Sequence, residues 1–275
     1  MADTHPGVFT FESGPQGAVL LARHPTLAAS SSALPEGAYT TLRTYGGRRL
    51  FRLDRHLDRL SESVALQGRP APLDRALGRR SIRDALETAG FEEARLRLTF
   101  APPSLFVAVE SFSPLHATAY ADGVACVTVD VVRDNPLAKD TRFIATAQDV
   151  YGHLPEGVEE ALLVAEDGSV LEGLSSNFFA VRDGRLHTED ARALHGITRS
   201  AILEVAGALL PVDLQAIPRG ELARASETFI TSVSREVLPV VRIDGRPVGD
   251  GRVGGVTRAI ILGVADLVAR EAEEP

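Results

Sequence analysis

The chain is nearly without lysine. Lysine and arginine together number 29 in 275 residues, and lysine stands only at position 139. Arginine-rich codon usage or selection on the surface exchanges exposed lysines freely and leaves the survivor without an account. Arginine replaces lysine in most surface work but does not lose its proton to become a nucleophile, so Lys139 is a candidate reactive amine. Cysteine is equally scarce. Cys126 lies alone in the apolar run Val124-Ala125-Cys126-Val127-Thr128-Val129, which excludes an internal disulfide and reads as a small buried hydrophobe, with a reactive thiol as the alternative. No apolar run nears the roughly 18 residues a membrane span needs, and no charged-then-apolar leader opens the chain, so a cytoplasmic protein is expected. Blocks of like charge are missing, and the net charge of -8 argues against nucleic-acid binding and for small-molecule partners. The seven histidines show no pair at ligand spacing with a carboxylate, which leaves metal chemistry poorly supported.

What is present is an ordinary globular composition, 44% hydrophobic and 24% charged, at a length that suits two domains or one large α/β domain. Short apolar runs at 8–11 and 18–21 predict strands, and the stretch through Ser30-Ser31-Ser32-Ala33-Leu34-Pro35 predicts a loop. Two further runs around Gly46-Gly47 predict a hairpin. A helix is expected after Asp54 as its cap, with Leu57, Leu60 and Val64 at helical spacing and His56 beside Arg59 on its first turns. A second helix is expected over 79–88, ended by Gly90. Strands at 94–100 and 104–110 flank a Pro102-Pro103 turn. The stretch Ser111-Phe112-Ser113-Pro114-Leu115 reads as a linker. The expected division is a small N-terminal α+β domain over 1–112, a linker over 113–118, and a larger domain over 119–275 built of β-hairpins in series with helices near 197–209 and 257–269.

Four features at distant points of the chain carry candidate chemistry. Arg59 suits an anion's oxygens or is a solvated helical arginine. Gly196-Ile197-Thr198 at a helix start offers backbone N–H groups and a hydroxyl to an anion, or is a plain threonine cap. Glu172 is a functional carboxylate or a solvated hairpin residue. Lys139 completes the set. Together these residue types match the needs of pyridoxal 5'-phosphate: an amine for its aldehyde, a carboxylate for its ring nitrogen, and donors for its phosphate.

The segment Gly168-Ser169-Val170-Leu171-Glu172-Gly173-Leu174-Ser175-Ser176-Asn177-Phe178-Phe179, whose Glu172 lies 33 residues past Lys139, resembles the signature of class IV aminotransferases, the fold-type IV pyridoxal-phosphate enzymes. Leu53-Asp54-Arg55-His56-Leu57-Asp58-Arg59-Leu60-Ser61-Glu62-Ser63 resembles the family's N-terminal helix, and Leu194-His195-Gly196-Ile197-Thr198-Arg199 its phosphate-binding turn. The resemblance spans about residues 35 to 260 with the motifs in family order. It implies a two-domain α/β (α+β) fold and a Schiff base at Lys139. It also implies Glu172 against the pyridine nitrogen, phosphate contacts from Arg59, Gly196, Ile197 and Thr198, and Leu194 packed on the ring. Ser175, Ser176 and Asn177 are implied to line or support the cofactor. The loop Thr231-Ser232-Val233-Ser234 falls where the family places a second phosphate contact, through Ser232 and Val233, and a substrate-carboxylate contact, through Ser234. Tyr39 takes a substrate-facing position, and Arg97 is either a carboxylate ligand or an exposed strand arginine.

The chain departs from the family pattern in three places. Val233 stands where several members have threonine, Ile144 where branched-chain enzymes have a tyrosine five residues past the lysine, and Tyr39-Thr40 at a position often occupied by a Phe-Glu pair. The implied activity is transfer of an amino group between an amino acid or amine and a 2-oxo acid, in a homodimer with its site in an interdomain cleft. A lyase of the aminodeoxychorismate lyase type and a non-catalytic binding homologue are the alternatives.

Overall fold

The computed structural model describes residues 7–275. By its contacts the chain falls into two compact units. The first takes 7–113 together with Ala138–Ile144 and Glu271–Pro275, and the second takes Pro114–Leu137 and Ala145–Arg270. The two short segments were expected in the second domain; their contacts lie with the first unit, and one of them carries Lys139.

The first unit begins with β1 (Val8–Gly14), β2 (Gly17–His24), α1 (Leu27–Ser32), β3 (Ala38–Tyr45), β4 (Arg49–Phe51), α2 (Leu53–Leu66), α3 (Arg75–Ala89), β5 (Ala94–Ala101) and β6 (Ser104–Ser111). After it come α4 (Ala117–Asp122), β7 (Val124–Val129), α5 (Phe143–Gly152), β8 (Val158–Val164), β9 (Val170–Gly173), β10 (Asn177–Arg182), β11 (Arg185–His187), α6 (Ile197–Gly207) and β12 (Val212–Asp213). A 3-10 turn at Arg219–Arg224, β13 (Glu227–Ser232), β14 (Glu236–Ile243), β15 (Arg246–Pro247), α7 (Gly255–Glu271) and β16 (Ala272–Glu273) complete the chain.

In the first unit seven strands form one sheet in the order β16-β4-β3-β5-β6-β1-β2. The hairpin between β3 and β4 turns on Gly46 and Gly47 at φ 62° and 98°, a region where a side chain is strained. The apolar positions of α2, Leu53, Leu57, Leu60 and Val64, recur every three or four residues and are buried with Leu42, Leu96 and Leu98 of the sheet. Each such leucine contributes about 2 kcal/mol by leaving water. Asp54 does not cap α2. Arg52 holds that position in a left-handed conformation, and Asp54 instead accepts hydrogen bonds from Arg79 of α3. The expected loop at 30–32 is the helix α1, whose N-cap Thr26 accepts the N–H of Ala29. Its serines satisfy themselves: Ser31 and Ser32 donate to the carbonyls four residues back, and Ser30 pairs with Thr10.

In the second unit the strand path β12-β11-β10-β13-β14-β7-β8-β9 turns back on itself, because β9 also pairs with β10. Six strands therefore close into a ring, and the closing pair is Glu172 opposite Asn177. The pairs β14–β7 and β7–β8 are parallel, while the other pairs of the ring are antiparallel. Cys126, Leu162, Phe178, Ile230, Leu238 and Val240 make its apolar core. Burial raises the pKa of the Cys126 thiol, and Glu160 nearby raises it further.

Candidate active site

In the first unit, residues 138–141 run beside the start of β3 like an added strand. Tyr39 N–H donates to the Lys139 carbonyl (2.9 Å), Thr141 N–H to the Gly37 carbonyl (3.0 Å), and Gly37 N–H to Thr141 Oγ1 (3.0 Å). Gly37 is required here, since a Cβ would strike the Phe100 backbone. The Lys139 N–H donates to Ser63 Oγ of α2 at 3.2 Å. The backbone of the lysine is thus bonded on both sides.

Its side chain joins a cluster of cations. Lys139 Nζ lies 4.7 Å from the centroid of the Tyr39 ring, and Arg97 Cζ lies 5.1 Å from the same centroid. Both distances are within cation–π range. Arg97 also donates to Ser31 Oγ (2.8 Å) and the Leu27 carbonyl (3.3 Å), and no carboxylate of the described residues is within ion-pair distance of it. Arg97 is therefore not an exposed strand arginine. Burial lowers its pKa, with the Tyr39 hydroxyl opposing. Arg59 is buried on α2, and burial brings its pKa down to about 10 against the pull of Glu62. His56, one turn before it, is buried with Nδ1 2.7 Å from Thr40 Oγ1. Burial, then Arg59 and Lys139, press its pKa well below 6.5, so the ring is neutral. A partly buried cluster holding this much positive charge favours an anionic ligand.

In the second unit Glu172 is buried at the closure of the strand ring. Its Oε2 accepts the Leu194 N–H (3.1 Å) and Asn177 Nδ2 (3.4 Å), and its Oε1 lies 3.3 Å from Arg133 Nε. Asn177 Nδ2 donates also to the Leu194 carbonyl at 2.6 Å, which ties the stretch before α6 to this carboxylate. Arg133 further donates to the Leu174 carbonyl (2.9 Å). Sequence reasoning missed Arg133; its one signal is a charge at the end of the β7 run.

Ser175 and Ser176 turn elsewhere. Both hydroxyls donate to Glu160 Oε2 at 3.1 Å, and Glu160 is fully buried. Tyr151 donates to Glu160 Oε1 (2.7 Å) and Arg235 Nη2 to Oε2 (2.9 Å). Burial works against the charge of Arg235, but Glu160 and Tyr151 override it and its pKa is raised. Glu160 and Arg235 also escaped the sequence reading. A glutamate opening the run Ala161-Leu162-Leu163-Val164 was the available sign of a buried, partnered carboxylate.

At the start of α6, Gly196 holds the N-cap position and no side chain caps the helix. The first-turn N–H groups of Ile197 and Thr198 face outward along the axis with the positive end of the helix dipole behind them. A Cβ at Gly196 would overlap Asn177 Oδ1, so glycine sets how closely this turn approaches β10. The turn between β13 and β14 carries Ser232, Val233 and Ser234. Ser232 Oγ accepts the Arg235 N–H (3.3 Å), and Thr231 Oγ1 is buried with no partner among the described residues.

Residues 37–243 match the Amino-transferase class IV family. A branched-chain-amino-acid aminotransferase of Pseudomonas aeruginosa is 29% identical over 262 residues, covering 86% of this chain and 85% of that protein. A D-alanine aminotransferase of Bacillus licheniformis is 27% identical over 257 residues, covering 86% and 89%. In three dimensions the chain resembles a branched-chain amino acid aminotransferase of T.th. solved with pyridoxamine 5'-phosphate. The TM-score is 0.79 at 24% identity, over 96% of this chain and 95% of that one. The chain therefore belongs to the class IV aminotransferases, enzymes that move amino groups with pyridoxal 5'-phosphate.

Proposed function

We propose that this enzyme exchanges an amino group between an amino acid or amine and a 2-oxo acid, with Lys139 as its covalent amine. The observation that carries the proposal is the seating of Lys139. The chain's single lysine is bonded through its backbone to β3 and α2, and its amine and Arg97 both lie against the Tyr39 ring.

The residues present suit pyridoxal 5'-phosphate. Arg59 is a buried guanidinium, the α6 N-terminus lacks a side-chain cap, Thr231 Oγ1 has no partner among the described residues, and Glu172 is a buried acceptor. When bound, the cofactor supplies an aldehyde for exchange of amines and a protonated ring that draws electrons from the substrate Cα–H bond.

In this reading Arg59 and the N–H groups of Ile197 and Thr198, with Gly196 shaping the turn, hold the phosphate. Ser232 and Val233 add a second contact through backbone or hydroxyl. Glu172 accepts the ring N–H and Leu194 packs on the ring. Asn177 holds Glu172 in place, while Ser175 and Ser176 steady the turn between them. Lys139 Nζ, once the substrate amine has displaced it, would move a proton between the substrate Cα and the cofactor's aldehyde carbon, as general base and then general acid. Arg97, Tyr39 and Ser234 receive the substrate. Homodimeric assembly and action in the cytoplasm in amino-acid metabolism belong to the same reading, supported by family membership and the one buried free thiol.

The test is a panel of half-reactions with L-branched-chain amino acids, L-glutamate, D-alanine, D-glutamate and an (R)-arylalkylamine, each followed by loss of the visible cofactor band. Accumulation of the aminated cofactor with at least one donor is expected, and Lys139→Ala abolishes turnover. A lyase consumes substrate without accumulating that form, and a non-catalytic homologue gives no borohydride-trapped adduct. Multiple turnovers by Lys139→Ala would sink the assignment.

A further inference from the structure

One helix in the first unit bonds both to the lysine's backbone and to the strand beside it. Along α2 a polar stripe runs through His56, Arg59, Ser63 and Gln67, at spacings of three and four residues that place them on one side of the helix. His56 pairs with Thr40 beside Tyr39 (2.7 Å), Ser63 Oγ accepts the Lys139 N–H (3.2 Å), and Gln67 Nε2 donates to the Gly37 carbonyl (3.3 Å). Ser63 is 1% exposed, so its hydroxyl has no access to water as an alternative partner. Arg59 sits one turn earlier, about 6 Å along the helix axis.

We propose that Ser63 is a positioning residue: by holding the backbone of Lys139 one helical turn from Arg59, it makes α2 a gauge that sets the separation between the reacting amine and the phosphate-binding guanidinium. The proposal rests on the reading that Lys139 and Arg59 grip opposite ends of the cofactor. A helix turn is a rigid spacer, because each residue of it is fixed by backbone hydrogen bonds. The lysine, by contrast, lies in a segment outside any regular element, between β7 and α5. The N–H of that segment needs an acceptor once buried, and Ser63 provides it at a fixed point on the gauge. When the amine adds to the ligand's aldehyde carbon, a carbon–nitrogen double bond forms and one water leaves. The reaction then depends on where Lys139 starts; capture of the phosphate does not.

The experiment titrates apoprotein with two ligands. Pyridoxal 5'-phosphate carries the aldehyde; pyridoxine 5'-phosphate has the same ring and phosphate with a hydroxymethyl group instead. Ser63→Ala is expected to weaken the aldehyde about fivefold, the worth of one hydrogen bond, and to leave the alcohol unchanged. Ser61→Ala is the control, because it removes a hydroxyl from the same helix that accepts the Leu73 N–H (3.0 Å), and both affinities are expected at the wild-type level. If Ser63→Ala does not fold, Ser63→Cys takes its place with the same readout. Equal weakening of both ligands, or of neither, overturns the gauge. If borohydride attaches no cofactor to wild-type Lys139, the functional reading falls first, and that outcome is told apart by the trapping step alone.

Discussion

His56 is a neutral imidazole among cations, and that has a pH signature. Its folded pKa lies below the ordinary 6.5, so the unfolded chain binds more protons between the two values. Stability is therefore complete above about pH 6.5 and falls as pH drops through the window below it, by at most about 1.4 kcal/mol per pH unit from this one group. His187, whose pKa burial also lowers, adds in the same direction. Urea denaturation at stepped pH is expected to show this slope, and His56→Gln to flatten part of it. Arg97 makes a second prediction. As a part-buried guanidinium without a carboxylate partner among the described residues, it suits a substrate's second carboxylate. Arg97→Met is expected to raise KM for 2-oxoglutarate roughly 10- to 100-fold and to leave a branched aliphatic 2-oxo acid within about threefold. Equal losses on both acceptors would remove Arg97 from substrate recognition.

At the scale of elements, the buried pair Glu160–Arg235 links strand β8 to the turn between β13 and β14. Glu160 gathers Tyr151, Ser175, Ser176 and Arg235 on one carboxylate. Breaking such a pair leaves a buried charge alone and costs about 3–5 kcal/mol. Glu160→Gln and Arg235→Met are each expected to destabilise by that order in chemical denaturation. The double variant is expected to lose less than the sum, since the second change removes the stranded charge.

The same elements show what could be read from residues in order. The apolar spacing of α2, the Gly46-Gly47 turn and the Gly196 helix start are local patterns, and each element formed where its pattern fell. Arg235 and Glu160 lie 75 residues apart, and no local pattern joins a turn arginine to a strand glutamate. Helix α1 was hidden for another reason. Three serines in a row read as loop until their hydroxyls are seen to bond back to the helix itself. Lys139 was visible by its solitude, whereas its packing with the first unit was not, because the bonds to Tyr39 and Ser63 span 100 and 76 residues.

For the whole molecule, the match over residues 37–243 covers strands, helices and turns of both units, which is why the family follows from the chain rather than from one motif. The closed strand ring gives Glu172 a scaffold bonded on both sides, and the seven-stranded sheet does the same for Tyr39 and Arg97. The shortage of lysine across all 275 residues has a practical reach. In most proteins an amine-directed acylating reagent decorates dozens of surface positions and reports nothing about the site. Here each chain offers one side-chain amine, part-exposed at Lys139. Acylation of the apoprotein with excess reagent is expected to add one group per chain beyond the terminal amine. Prior reduction of bound cofactor with borohydride should block that addition, as read by intact mass. On the proposed role of Lys139, the difference in label between the apoprotein and the borohydride-reduced protein counts the chains that had bound cofactor at that lysine.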